Sequence, residues 1–244
     1  MPEEILVKQG APTLAGIKTG SLFPCPCEDR TALLSDIRRL NRLLVPKGLC
    51  LLPIRFLEGQ ALLYLYRPAE LRRDLRDTLA AEILRRAGYA EGDCSRCVAR
   101  LIRRFRESGE FPHEVGLFLS YPPEDVKGFI DHRACGFKCA GLWKVYGDEQ
   151  KARELFAKFK KCTEVYCALW QAGSGLDRLA VAGEFKKQNE REETYHEENC
   201  CCFLEWHGQY RGDGQGRGRG NGERGRAGHA PHAGSGAERR AERL

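Results

Sequence analysis

Residues 1–183 predict an α+β domain, a small mixed or antiparallel sheet packed with several amphipathic helices, ahead of a disordered C-terminal tail. Three observations predict it. Apolar residues recur at helical spacing in four separate stretches, short aliphatic and aromatic runs bounded by Gly, Pro or Asp read as strands, and the two kinds interleave without the strict strand–helix–strand repeat of a doubly wound sheet.

In chain order, Gly10 to Gly20 reads as a loop and turn, and Ser21-Leu22-Phe23 as strand-like. Asp29 to Val45 is a helix, with Leu33, Leu34, Ile37, Leu40, Leu43 and Leu44 on one face and Pro46 and Gly48 ending it. Gly48–Phe56 and Gln60–Tyr66, around Glu58-Gly59, have the pattern of a β-hairpin, in which Pro53 requires an edge position or a bulge. Pro68 opens a helix to about Ala87, closed by Gly88. Asp93 caps a second helix to about Glu107, whose apolar face is Cys97, Val98, Leu101, Ile102 and Phe105. His113 to Tyr121 holds the apolar run Val115-Gly-Leu-Phe-Leu119 and is expected as a buried strand. A short helix over Glu124–Ile130, a strand over Gly141–Tyr146 and a long helix over Glu149–Gln171 follow. The stripe of that last helix, Ala152 through Trp170, is expected to face the core.

The chain has 244 residues, 42% of them hydrophobic, enough for a real core. No window approaches the roughly 18 uncharged apolar residues of a membrane span, and Met1-Pro-Glu-Glu lacks the regions of a secretory signal. The expected location is therefore cytoplasmic. The formal charge of +6 divides as +6 over residues 1–183, −4 over 184–207 and +4 over 208–244. Residues 184–207 read as an acidic, Cys-rich extension. Residues 208–244, with eleven Gly and one aromatic, Tyr210, cannot bury enough apolar surface to offset their ordering entropy. Runs such as Arg217-Gly218-Arg219-Gly220 are where RNA would bind if it binds at all. The arginines of residues 68–108 are interspersed with Glu70, Asp74, Asp77, Glu82 and Glu107, the pattern of solvated helix faces.

Gly10 to Gly20 departs from a phosphate-binding loop: five residues separate Gly10 from Gly16, and Ile17 separates Gly16 from Lys18. Its small residues still present Thr13, Lys18, Thr19 and Ser21 to an anion. Twelve cysteines include Cys25-x-Cys27, Cys94-x2-Cys97 and Cys135-x3-Cys139, and His132 with Cys135 and Cys139 supplies three candidate metal ligands within eight residues. Reduced core or surface thiols are the competing reading of all three pairs. His196, Cys200 to Cys202 and His207 form a further cluster, though three adjacent cysteines do not easily converge on one ion. No nucleophile, metalloprotease or kinase motif is present around the histidines.

Three stretches carry a resemblance: Ala11-Pro-Thr-Leu-Ala-Gly-Ile-Lys-Thr-Gly-Ser-Leu-Phe23, Glu114-Val-Gly-Leu-Phe-Leu-Ser-Tyr-Pro-Pro-Glu-Asp-Val-Lys-Gly-Phe-Ile130 and Gly141-Leu-Trp-Lys-Val-Tyr-Gly-Asp148. The chain resembles, over about residues 5–180, the bacterial family catalogued as domain of unknown function 3793, found largely in Clostridia and other anaerobic Firmicutes. The resemblance implies a cytosolic protein from an anaerobe, where free thiols are tolerated, and brings no activity or cofactor with it.

Thr13, Lys18, Arg67, Tyr121 and Lys144 lie on or beside expected strand ends, where loops build pockets. They are expected to line a small cleft for an anionic ligand, such as a phosphorylated or carboxylated metabolite. Two other function classes stand beside this one: a redox or metal-handling protein using Cys135 and Cys139, and an enzyme whose site assembles only in space.

Overall fold

Both halves of the expected hairpin form in a computed structural model of the chain, which describes residues 2–90, 92–107 and 111–183. The chain divides into two units, Met1–Gly208 and Gln209–Leu244, and every described residue lies in the first. The acidic segment and the Gly/Arg-rich tail expected after residue 183 lie outside the described residues.

Strand β1 (Gly20–Pro26) and strand β2 (Cys50–Leu57) flank β3 (Gln60–Tyr66), all antiparallel. Because β3 is central and buried on both faces, its sequence Ala61-Leu-Leu-Tyr-Leu-Tyr66 is a continuous apolar run rather than an alternating one. Ala61, Leu63 and Leu65 pack under α1 (Pro2–Leu14), α2 (Arg30–Leu44) and α9 (Leu176–Leu179). Tyr64 and Tyr66 face the opposite layer, built from α3 (Pro68–Asp74), α4 (Thr78–Arg86), α5 (Cys94–Glu107) and α6 (Val115–Phe118). The class is thus α+β, a three-stranded sheet between two helical layers.

Pro53 satisfies both of its expected constraints. It lies in an edge strand, and the register slips between Pro53, opposite Leu63, and Arg55, opposite Leu62, which makes Ile54 the extra residue of a bulge. The outer edge of β2 is not left open. Asn41 of α2 donates from Nδ2 to the Leu51 carbonyl and accepts from the Leu51 amide, both at 2.9 Å, so a side-chain amide imitates a neighbouring strand.

Five expectations change. The N-terminal loop is preceded by helix α1, concealed in the sequence by Gly10 and Pro12; a Cβ at Gly10 would meet Leu65 Cδ2 at 2.8 Å, so glycine lets the helix lie close on β3. The helix from Pro68 is two helices, because Asp77 stops the first and caps α4 by accepting from Leu79 and Ala80. The run Val115–Leu119 is helix α6 and not a strand; four apolar residues have no period of their own to distinguish the two. The strand at 141–146 shrinks to β5 (Lys144–Val145), paired with β4 (Cys139–Ala140). Finally, α8 (Glu149–Gln171) matches its expected span, but only Ala152 and Phe159 of its stripe are fully buried, and Leu169 is exposed. Its outward side packs against no further layer of described residues. Among the described residues no helix is long and apolar enough to cross a membrane.

Candidate functional site

The geometry of the site begins where α1 ends. Gly16 turns the chain with a φ of 76°, and the amides of Ile17 and Lys18 both return to the Pro12 carbonyl at 3.0 and 3.1 Å. Arg67, which directly follows β3 and is 3% exposed, lies beneath this turn. Its Nε donates to the Thr13 carbonyl at 2.8 Å, and one Nη donates to the carbonyls of Leu14 and Val181 at 2.8 and 2.7 Å. The Thr13 carbonyl also accepts from the Gly16 amide at 3.1 Å and the Leu14 carbonyl from the Val181 amide at 3.0 Å, so the guanidinium is a second donor at a helix end whose negative dipole favours a cation. The Thr13 hydroxyl is fully buried against Ser21 Oγ at 2.9 Å. Arg67 and Thr13 therefore meet, with their polar groups facing the protein.

The next residues hold the loop from its other side. The Thr19 amide donates to Ser120 Oγ at 2.6 Å, and its hydroxyl donates to the Asp74 carboxylate. Burial pushes the Asp74 carboxyl upward, against the bond from Thr19. Ser120 takes a φ of 60°, unusual for a residue with a side chain, and sits just before Tyr121.

Between these anchors Lys18 enters a third, smaller core made by the β4–β5 hairpin and α8. Its ammonium lies 5.7 Å from the Tyr121 ring centre and 5.8 Å from that of Phe159. Tyr121 stacks on Trp143 with centroids 4.6 Å apart, and Trp143 meets Phe156 edge to face at 4.5 Å. The wall is rigid because Asp125 of α7 (Pro123–Asp131), itself 3% exposed, accepts from Trp143 Nε1 and from the amides of Tyr146 and Gly147, each at 2.7 Å. Among the described residues no acid pairs with the Lys18 ammonium. Desolvation lowers its pKa from the usual 10.5 to about 8, and the two ring faces are the compensation available.

Lys144 does not join this group. Its neighbour Trp143 points into the aromatic core, and alternation along β5 sends Lys144 the other way, where its Nζ donates to the Ala134 carbonyl at 2.8 Å and lies 4.8 Å from the Phe137 ring centre. Of the five expected residues, then, Lys18 and Tyr121 share one corner, Thr13 and Arg67 a second behind it, and Lys144 stands apart. Of the expected metal ligands, His132 stacks on Tyr146 with centroids 5.7 Å apart, Cys135 is exposed and Cys139 is half-buried in β4. Among the described residues no three His, Cys, Asp or Glu side chains are grouped to hold a metal ion. Phe159 and Trp143 were missed as walls of the Lys18 corner. Phe159 belongs to an apolar stripe that reads as core, and nothing in its spacing reveals that a lysine 141 positions earlier would rest on its ring.

The fold and this corner define a small helix-covered antiparallel sheet protein with a half-buried cation where its loops meet. The chain belongs to the family described as protein of unknown function (DUF3793), whose match spans residues 6–180. No curated protein and no solved structure matches it.

Proposed function

We propose that the protein binds a small anionic ligand at Lys18, against the faces of Tyr121 and Phe159. The observation that carries this reading is a cation kept where it weakens the fold. A lysine whose pKa falls from 10.5 to about 8 opposes folding at neutral pH by on the order of 3 kcal/mol, and a methionine of similar length would not. Lys18 is nevertheless protonated at pH 7, and a carboxylate or phosphate beside it would supply the missing opposite charge. Such violations of local physical preference concentrate at functional sites. Thr13, Arg67 and Lys144 support the site as framework, shaping the loop and its surroundings.

The test is titration of the full-length protein with inorganic phosphate and with acetate, following Trp143 fluorescence and the Lys18 side-chain resonance. Saturable binding that raises the Lys18 pKa above 8 and disappears in Lys18→Met supports the reading; a Lys18 resonance indifferent to both anions refutes it.

The lowered proton affinity favours one second reading, in which Lys18 is an amine nucleophile toward the carbonyl of a small keto acid. Pyruvate with cyanoborohydride would then leave a stable mass increment on Lys18, and its absence removes that reading while leaving simple anion binding in place.

A further inference from the structure

The chain breaks between α3 and α4, and a cavity of about 230 Å³ lies between these two helices and the start of α5. Leu75, Ala81 and Leu84 line it, together with Tyr89, whose hydroxyl is turned to Glu114 Oε1 at 2.9 Å. Cys94 and Cys97 line the same space. They are the first and fourth residues of α5, and both are buried, at 7% and 4% exposure. Cys97 Sγ donates to the Ala90 carbonyl at 3.2 Å, and Cys94 Sγ to the Pro68 carbonyl over a weak 3.9 Å. Burial pushes Cys94 up to about 12, with the nearness of Cys97 adding to the rise, and pushes Cys97 up to about 11. Both are therefore neutral thiols in the resting protein.

Helix geometry sets Cα atoms three residues apart at about 5 Å, inside the range of about 4.4–6.8 Å that a disulfide spans. The Cβ atoms, at about 5–6 Å, have only about 1–2 Å to close before the sulfurs can bond. The first turn of a helix yields that most easily, because its leading amides have no carbonyl of their own helix to lose. The bond from the Cys97 amide to the Asp93 carbonyl, at 3.0 Å, is where the backbone ladder of α5 begins. The two thiols are thus spaced for one S–S bond and share one cavity through which a reagent can reach them. The cavity is smaller than the roughly 300–1,000 Å³ of pockets for drug-sized ligands, which limits that reagent to a compact molecule.

We infer that Cys94 and Cys97 are a redox pair that exchanges with a small uncharged disulfide entering this cavity. One of the two thiols loses its proton to water, and its sulfur attacks a sulfur of the entering disulfide. That S–S bond breaks, and half of the reagent leaves and takes up a proton. The neighbouring thiol then gives up its own proton and attacks the mixed disulfide, and the second half leaves as a thiol. Two cysteine thiols are oxidised to one S–S bond while one small disulfide is reduced to two thiols. The second step is intramolecular, so the mixed disulfide is short-lived. Closing the bond takes both sulfurs from the carbonyls of Pro68 and Ala90, which tie the start of α5 to the start of α3 and to the segment after α4. Oxidation is therefore felt on both sides of the cavity. The inference is independent of Lys18.

The test exposes the reduced full-length protein to hydroxyethyl disulfide, alkylates the remaining thiols and reads the products by peptide mass spectrometry. A Cys94–Cys97 disulfide is expected to form at least about tenfold faster than Cys50 is modified, Cys50 being similarly buried at 5% exposure but outside the cavity lining. Cys94→Ser and Cys97→Ser should each stop at a mixed disulfide on the remaining cysteine, a gain of one hydroxyethylthio group. Ala81→Leu, which fills part of the cavity, should slow formation severalfold while exposed Cys135 reacts as before. Dithiothreitol should return the pair to thiols, and Lys18→Met should leave the exchange intact. A pair no more reactive than Cys50, oxidation that appears only in urea, mixed disulfides that persist on both cysteines of the unsubstituted protein, or a rate indifferent to Ala81→Leu overturns the assignment.

Discussion

Arg67, buried, and Lys18, half-buried, are two cations flanking the same turn at the end of α1, and they are treated in opposite ways. Arg67 sends three hydrogen bonds to the carbonyls of Thr13, Leu14 and Val181, so its charge is spent tying a helix end and the segment after α9 to the end of β3. Lys18 has two ring faces and, among the described residues, no acid. Burial lowers the proton affinity of both, but among the described residues only the arginine has polar partners in return. The difference teaches how to separate a structural cation from a candidate ligand-binding one. The former is a donor whose removal takes hydrogen bonds from the fold, and the latter a charge whose removal relieves it.

That contrast fixes the sign of each substitution. The largest effect is expected for Arg67→Met, which removes three charge-assisted hydrogen bonds from the end of α1 and the segment after α9 and should destabilise the protein by about 3–5 kcal/mol, measured by urea unfolding. A loss below about 1 kcal/mol would mean that water replaces the guanidinium and that Arg67 is not the structural partner. Asp125→Ala comes next, at about 3 kcal/mol, because Trp143 Nε1 and the amides of Tyr146 and Gly147 lose a shared acceptor. It should also loosen the aromatic wall and abolish anion binding at Lys18.

Lys18→Met should act in the other direction, stabilising by about 2 kcal/mol at pH 7 after the lost ring contacts are set against the relief of a buried charge. Its pH dependence follows from the depressed pKa. Between about 8 and 10.5 the unfolded chain holds the Lys18 proton and the folded one does not, so the stability of the native protein rises with pH across that window. The advantage of Lys18→Met should therefore be full below pH 8 and gone above 10.5, and an advantage independent of pH would sever it from the lysine charge. The smallest effect is expected for Tyr121→Leu, about 1 kcal/mol of destabilisation together with a further fall in the Lys18 pKa. A Lys18 pKa that rises instead would show that the ring excludes water more than it attracts the ammonium.

Much of the architecture was legible because local periodicity carries it. The α2 face of Leu33, Leu34, Ile37, Leu40 and Leu44, though not the exposed Leu43, the β2–β3 hairpin around Glu58-Gly59, the span of α8 and the Asp93 cap follow from spacing and from side chains that act on their own neighbours. The elements that escaped are those with conflicting or insufficient local signals: α1, with Gly10 and Pro12 inside it, and α6, too short to display a period. At the candidate site, proximity to strand ends pointed to polar residues, of which Thr13, Lys18 and Arg67 lie at or beside the turn after α1. It carried no information on direction, so Lys18, Arg67 and Lys144 looked alike, although one faces aromatic rings, one three carbonyls and one the turn after α7.

The sequence by itself determined the α+β class, the spans of α2, α5 and α8, the hairpin and its flawed edge strand, because hydrophobic spacing, caps and proline restrictions act over a few residues. Only the tertiary structure decided which cation was satisfied and which was left, among the described residues, without an acid, and that the chain would break between α3 and α4. Those outcomes depend on contacts between groups tens of residues apart, such as Lys18 with Tyr121 and Phe159, or Arg67 with Val181, and on which way each side chain points once both faces of the sheet are covered. Burial and hydrogen bonding, which set the energy of a charge, exist only after those surfaces have met.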